Sequence, residues 1–138
     1  MSKIYVLDAC ALIALLSKET GYKNIENIIN EAKDNKAIIK MHKINLYEVY
    51  YHICKLYNEA SAKNFLAEIK KSPIQIDMEI TDEIMIKGGN LKNKYKISLA
   101  DSIGLGEAMI CKGSFVTADH HELDVVDEKE KINFTWIR

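Results

Sequence analysis

Ile4-Tyr5-Val6-Leu7-Asp8, running directly into Ala9-Cys10-Ala11-Leu12-Ile13-Ala14-Leu15-Leu16, decides the fold. Its first four residues are apolar and β-prone, the pattern of a parallel strand buried on both faces. The eight after Asp8 are rich in Ala and Leu and read as helix. One acid stands at the joint. Outward from this stretch the same strand–helix unit returns. Ile25, Ile28, Ile29 and Ala32 fall at i, i+3, i+4, i+7, the stripe of an amphipathic helix. Ala37 to Met41 reads as a second strand. Leu46, Val49, Ile53 and Tyr57 give a helix after it, and Ala62, Phe65, Leu66 and Ile69 another, stopped at Ser72-Pro73. Ile74 to Ile76 is a short third strand.

The second half repeats the pattern. Asp82 to Tyr95 is helical after a start signal at Thr81, although Gly88-Gly89 weakens it. Ser98 is the expected N-cap of a helix from Leu99 to Cys111, polar only at Asp101, Ser102 and Glu107 and therefore expected to be buried. Gly113 is its expected C-cap. Ser114 to Thr117 is a fourth strand, Asp124 to Lys131 a charged loop, and Ile132 to Ile137 a last strand. The alternation predicts α/β class: a three-layer α/β/α sandwich around a mostly parallel sheet of four to five strands. No linker or repeat divides residues 1–138, so a single domain is expected.

Bulk composition narrows the function. A formal net charge of −1 supplies no global field toward nucleic acid, so such a substrate needs a local basic patch. Of 19 basic residues only Arg138 is arginine. Bidentate arginine clamps on phosphate are nearly absent, and a metal would have to take that work. Cys10, Cys54 and Cys111 are odd in number and widely spaced, without a CxxC. A disulfide framework or zinc knuckle is disfavoured, and a reducing cytoplasm fits. The first apolar run is broken by Asp8 and preceded only by Lys3, unlike a signal peptide. No apolar stretch reaches the roughly 18 residues of a membrane span.

Four acids stand beside apolar runs: Asp8, Glu48 in Asn45 to Tyr51, Asp101 in Ser98 to Ala108, and Asp119 in Ser114 to Leu123. Acids are rarely buried unless paired or bound to metal. In open parallel sheets ligands bind beyond the carboxyl ends of the strands. Asp8 and Asp119 follow strands one and four, and Glu48 and Asp101 fall in first turns of helices that begin at that edge. The topology thus gathers them, and such a cluster suits hard cations, Mg²⁺ or Mn²⁺, one or two of them.

The stretches VLDACALIAL (residues 6–15), INLYEVYY (44–51), ISLADSIGLGEAM (97–109), FVTADHHEL (115–123) and INFTWI (132–137) together resemble a PIN-domain ribonuclease, specifically a VapC-type toxin of a toxin–antitoxin pair. Each motif alone is weak; the order and spacing of all of them over the chain are fairly specific. The resemblance implies a PIN-like fold, Mg²⁺-dependent endonucleolytic cleavage of RNA, a homodimer, and inhibition by a small VapB-type antitoxin. It also implies roles. Asp8 and Asp101 are the first metal ligands, Glu48 a ligand or an acid behind one, and Asp119 completes the set. Thr117 matches the family's hydroxyl two residues before the last acid and is expected to hold that acid or a phosphate. Where relatives carry a small hydroxyl or amide near the end of strand two, Asn45 is the candidate.

Competing readings are weaker. Haloacid-dehalogenase phosphatases need a second Asp two residues after the first, where Cys10 stands, and receiver domains need an acidic pair near strand one. An RNA-processing nuclease that is not a toxin, or a PIN-like module that binds RNA or a partner without cutting, remain as alternatives. His120-His121 lacks a partner pair at zinc spacing and reads as a surface turn; Glu122 reads first as solvated and second as a fifth acid. Gly104-Leu105-Gly106 lies inside a helix and reads as close packing, not a dinucleotide loop, so no nucleotide cofactor is expected. Cys10 and Cys111 read as small core residues. Tyr47, Tyr50, Tyr51 and Tyr57 read first as core and second as a partner face. Lys92, Lys94 and Lys96 read first as a solvated face and second as a phosphate-steering patch.

Overall fold

The computed structural model describes residues 3–138. Five strands, β1 (Lys3–Leu7), β2 (Ala37–His42), β3 (Ile74–Asp77), β4 (Ser114–Thr117) and β5 (Asn133–Trp136), form one sheet in the order β3-β2-β1-β4-β5. Every pairing is parallel, so the expectation of a mostly parallel sheet is met in full. Leu7 stands opposite Met41 on one side and Val116 on the other. The chain steps outward from β1 through β2 to β3, then returns to the far side of β1 with β4. A parallel sheet that reverses its direction of growth opens a crevice at the carboxyl ends of the strands flanking the reversal. Here that crevice lies beyond β1 and β4.

Among the described residues seven helices cover the faces: α1 (Ala9–Ser17), α2 (Tyr22–Lys33), α3 (Lys43–Leu56), α4 (Glu59–Lys71), α5 (Asp82–Lys94), α6 (Leu99–Cys111) and α7 (His120–Lys129). Strand side chains alternate between faces, which separates two cores. Tyr5, Leu7, Ile39, Met41 and Val116 pack against the apolar stripes of α1 to α4. Val6 and Phe115 point the other way, against Leu91, Leu105, Ala108, Leu123 and Val126 of α5, α6 and α7. Helix α6 is buried from Ala100 to Ala108, as its near-continuous apolar sequence requires. Burying Leu105 alone contributes about 1.5–3 kcal/mol.

Gly104 and Gly106 permit that burial. A methyl on Gly106 would stand 3.2 Å from the Gly88 nitrogen, so α5 and α6 meet through glycine, as close packing predicts. Two local expectations differ. Lys112, not Gly113, takes the left-handed turn that ends α6, with φ 56. Gly113 is needed instead for space, since a Cβ there would meet Ile4 at 3.1 Å. The charged stretch expected as loop from Asp124 is mostly helix α7, anchored by Leu123 and Val126 alone. With so few apolar positions its periodicity barely registers. Cys10 and Cys111 are half-buried against the two cores rather than within them.

Candidate metal centre at the sheet crevice

Three helix N-termini converge beyond β1 and β4, and each carries acids for a local reason. Asp8 caps α1: its Oδ1 accepts the Ala11 N–H at 2.8 Å. Ser98 caps α6 by accepting the Asp101 N–H at 3.1 Å, which puts the Asp101 carboxylate in the first helical turn. Asp119 caps α7 through the Glu122 N–H at 3.2 Å, and Glu122 lies in that first turn. Caps and first-turn acids are favoured at helix N-termini by orphan N–H groups and the macrodipole. Asp8 is thus both a helix cap and part of the crevice.

Asp8, Cys10, Glu48, Asp101, Asp119 and Glu122 line one cavity of about 260 Å³, and no basic side chain lines it. Asp101, Asp119 and Glu122 offer carboxylate oxygens that all lie within 4.8 Å of one another. Asp8 is 2% exposed, and its second oxygen accepts the Thr117 hydroxyl at 2.5 Å. The Thr117 oxygen in turn accepts the Asp119 backbone N–H at 3.0 Å. The threonine therefore holds the first acid by its side chain and the last by its main chain. Glu48 is half-buried on the cavity wall, in the second turn of α3 rather than the expected first turn. Asn45, 1% exposed, donates to the Ala100 carbonyl at 3.3 Å and ties α3 to the start of α6; no contact places it among the acids.

Packing carboxyls this tightly disfavours their ionised forms. Burial, opposed by the Thr117 and Ala11 hydrogen bonds, pushes Asp8 up to about 7, with Asp119 and Glu48 adding repulsion. Asp101 is pushed up to about 8 by burial first and then by Asp8, Glu122 and Asp119. Glu48 is raised by burial and by Glu122. A cation placed among these oxygens would remove the repulsion that raises them. The clustered group Asp101, Asp119 and Glu122 offers oxygen donors alone, which fits a hard divalent ion better than zinc held by thiolate or imidazole. His120 and His121 are exposed at the start of α7 and do not join it; His120 stacks on Trp136 at 3.9 Å.

Glu122, read first as solvated and only second as a fifth acid, joins the cluster. Its signal was present as Asp119-His120-His121-Glu122, a cap followed three residues later by an acid, the spacing of a helix start. Treating the segment that follows as loop hid it. The expected core tyrosines also move. Tyr47, Tyr51 and Tyr57 are exposed on or just beyond α3 and are not core residues, while Tyr50 is half-buried against the core. Lys92, Lys94 and Lys96 are exposed ahead of α6, as expected; Lys92 donates to the Ile97 carbonyl at 2.8 Å and Lys94 pairs with Glu130 at 3.8 Å.

A five-stranded parallel sheet covered by helices on both faces, with an acid cluster at its switch point, defines the class as a three-layer α/β domain. The PIN domain model matches residues 5–129, and the chain belongs to the PIN domain family. Comparison with curated proteins gives no match. Solved structures share the fold. A chain of VapBC from Salmonella typhimurium, bound to DNA, superposes with TM-score 0.73 at 14% identity, covering 100% of both chains. A chain of VapBC2 from Rickettsia felis, bound to a DNA fragment from its promoter, gives 0.73 at 17% identity, covering 96% of this chain and 97% of its own. VapC20 of Mycobacterium tuberculosis, a sarcin-ricin loop cleaving toxin, gives 0.61 at 9% identity over 91% and 95%. Among the described residues no helix is long and apolar enough to cross a membrane.

Proposed function

We propose that this chain is a Mg²⁺- or Mn²⁺-dependent endoribonuclease, acting as one domain over residues 1–138 and serving as the toxin of a VapBC-type pair. The observation that carries the reading is the group Asp101, Asp119 and Glu122, with oxygens within 4.8 Å and Asp8 lining the same cavity. Asp8, Asp101, Asp119 and Glu122 would hold one or two ions, with Glu48 at the wall. A bound ion supplies an acidified water and neutralises charge building on a phosphate. The chain's own residues do the positioning. Thr117 and the Ala11 N–H fix the Asp8 carboxylate in one orientation. Ser98 and Asp119 hold the first turns from which Asp101 and Glu122 project. Exposed Lys92 and Lys96, just ahead of the helix that carries Asp101, would supply the local positive charge that the chain as a whole lacks, whereas Lys94 is paired with Glu130.

The VapBC structures that share this fold over nearly their whole chains support the toxin reading. By the same likeness the chain works in the cytoplasm, forms a homodimer and is silenced by a VapB-type antitoxin. Exposed Tyr47, Tyr51, Leu56 and Tyr57 support a protein partner on that helix. The test is incubation of purified protein with structured RNA, with and without Mg²⁺ or Mn²⁺. Cleavage is expected only with metal, and not by the Asp8→Asn/Asp101→Asn double variant. Equal cleavage by that variant overturns the reading.

A further inference from the structure

We propose that a second cavity, between β2, β3 and α6, binds a guanidinium group on an alkyl stem, with Glu107 as its carboxylate partner. Glu107 lies on α6, six residues and about 9 Å along the axis from Asp101. It is 4% exposed, and no donor group of the chain reaches its carboxylate oxygens; the polar group it meets is a second acid, Asp77. A buried carboxylate without partners is disfavoured unless something else answers it. It lines a cavity of about 440 Å³, a volume typical of ligand sites, which shares no lining residue with the crevice at Asp8.

Charge inside the cavity is unbalanced. Lys40 on β2 sits 3.7 Å from Asp77 at the end of β3, so the Asp77 charge is already answered. Glu79, in the loop after β3, is exposed. From the α5 side Thr81 and Ile84 line the cavity, and Cys111 completes it on α6; none supplies a cation. When Glu107 is ionised, one positive charge is missing opposite it. Its two free oxygens match the paired N–H groups of a guanidinium, and Ile76, Met78, Ile84 and Ile110 offer an apolar wall for the stem. A metal fits less well, because no third acid joins Glu107 and Asp77 at coordinating range among the described residues. The occupant comes from another molecule: Arg138, the chain's single arginine, is engaged with the Thr20 carbonyl at 2.9 Å and with Glu19.

Without an occupant, burial and Asp77 push the Glu107 carboxyl up to about 9, against a smaller lowering by Lys40. Binding a guanidinium therefore releases a proton at neutral pH, and affinity rises from pH 6 to 8.5. Calorimetric titration of the full chain should use agmatine, N-acetyl-arginine N-methylamide and n-butylamine, without RNA. Agmatine or the capped arginine is expected to bind at least five-fold more tightly than butylamine. The tighter of the first two tells a free small cation from an arginine of a polypeptide. Glu107→Gln should weaken binding at least ten-fold and flatten its pH dependence. Ile110→Trp, a change at a partly exposed position, should block the cavity and do the same. Asp101→Asn should bind as wild type, which separates this site from the proposed nuclease centre. Unchanged binding by both cavity variants, binding independent of pH, no preference over butylamine, or loss in Asp101→Asn would each overturn the proposal.

Discussion

Thr117 is fully buried between the two acids that follow β1 and β4, and its one oxygen serves both. Thr117→Val keeps the shape but leaves an Asp8 oxygen and the Asp119 N–H without partners. Each orphaned group costs about 1–3 kcal/mol, so urea unfolding should show a loss of at least that size, while Thr117→Ser recovers most of it. The same hydrogen bond lowers the Asp8 carboxyl, so Val should also drive that pKa higher. Glu107 gives the pH-dependent case. Its folded carboxyl titrates at about 9, whereas a free glutamate titrates near 4.3. Between those values the folded state holds a proton that the unfolded state has lost. Its contribution therefore favours folding less as pH rises, by up to about 1.4 kcal/mol per unit. Glu107→Gln removes this term. Relative to wild type, the variant should be more stable at pH 8 than at pH 5; an equal difference at both would mean the folded carboxylate is already ionised. Burial of Glu107 follows from its place on a helix apolar nearly all round, but what surrounds either residue was not legible from the letters alone. Thr117 was singled out through the family pattern, but Glu107 was one polar position on an apolar helix, and only tertiary packing shows that it faces a second acid, Asp77, and no donor.

At the scale of elements, α5 holds two adjacent glycines that differ sharply in what surrounds them. A Cβ on Gly88 would lie 2.6 Å from the Ser102 carbonyl oxygen of α6, and on Gly89 it would meet nothing within 4 Å. Glycine inside a helix is about 0.5–1 kcal/mol worse than alanine when space is free. Gly89→Ala should therefore stabilise by about that amount, whereas Gly88→Ala forces α5 off α6 and should destabilise by about 1–3 kcal/mol. Thermal unfolding of the two variants checks both signs. The pair also shows what sequence can and cannot say about elements. The strands were legible because buried parallel strands are short apolar runs, and α6 because it is apolar nearly all round. Gly88-Gly89 looked like a defect in α5, since the close approach that makes Gly88 necessary comes from a helix that follows it in the chain. Helix α7 was hidden by its charge, and with it went the first-turn position of Glu122.

At the scale of the whole molecule, the crevice is assembled from the ends of β1 and β4 and the starts of α6 and α7, segments from Asp8 to Glu122 that meet only when the sheet is complete. Its place at the switch point was readable from the alternation of strands and helices, because that topology always opens there. Two consequences follow for stability. Without a cation, carboxyls pushed up to about 7 and 8 oppose folding at neutral and higher pH. With one, binding is coupled to the folded state alone and adds RT ln(1 + [L]/Kd), about 2.7 kcal/mol at a hundred-fold excess over Kd. For a domain of this size that is a rise in Tm of roughly 10 °C. A MnCl2 titration should show it and EDTA should reverse it. Asp101→Asn should behave oppositely on both counts: its metal-free Tm should rise, because one repelling acid is gone, and its response to Mn²⁺ should shrink or vanish. A variant that loses stability without metal yet keeps the full Mn²⁺ shift would mean that Asp101 is a packing residue and that the ion sits elsewhere.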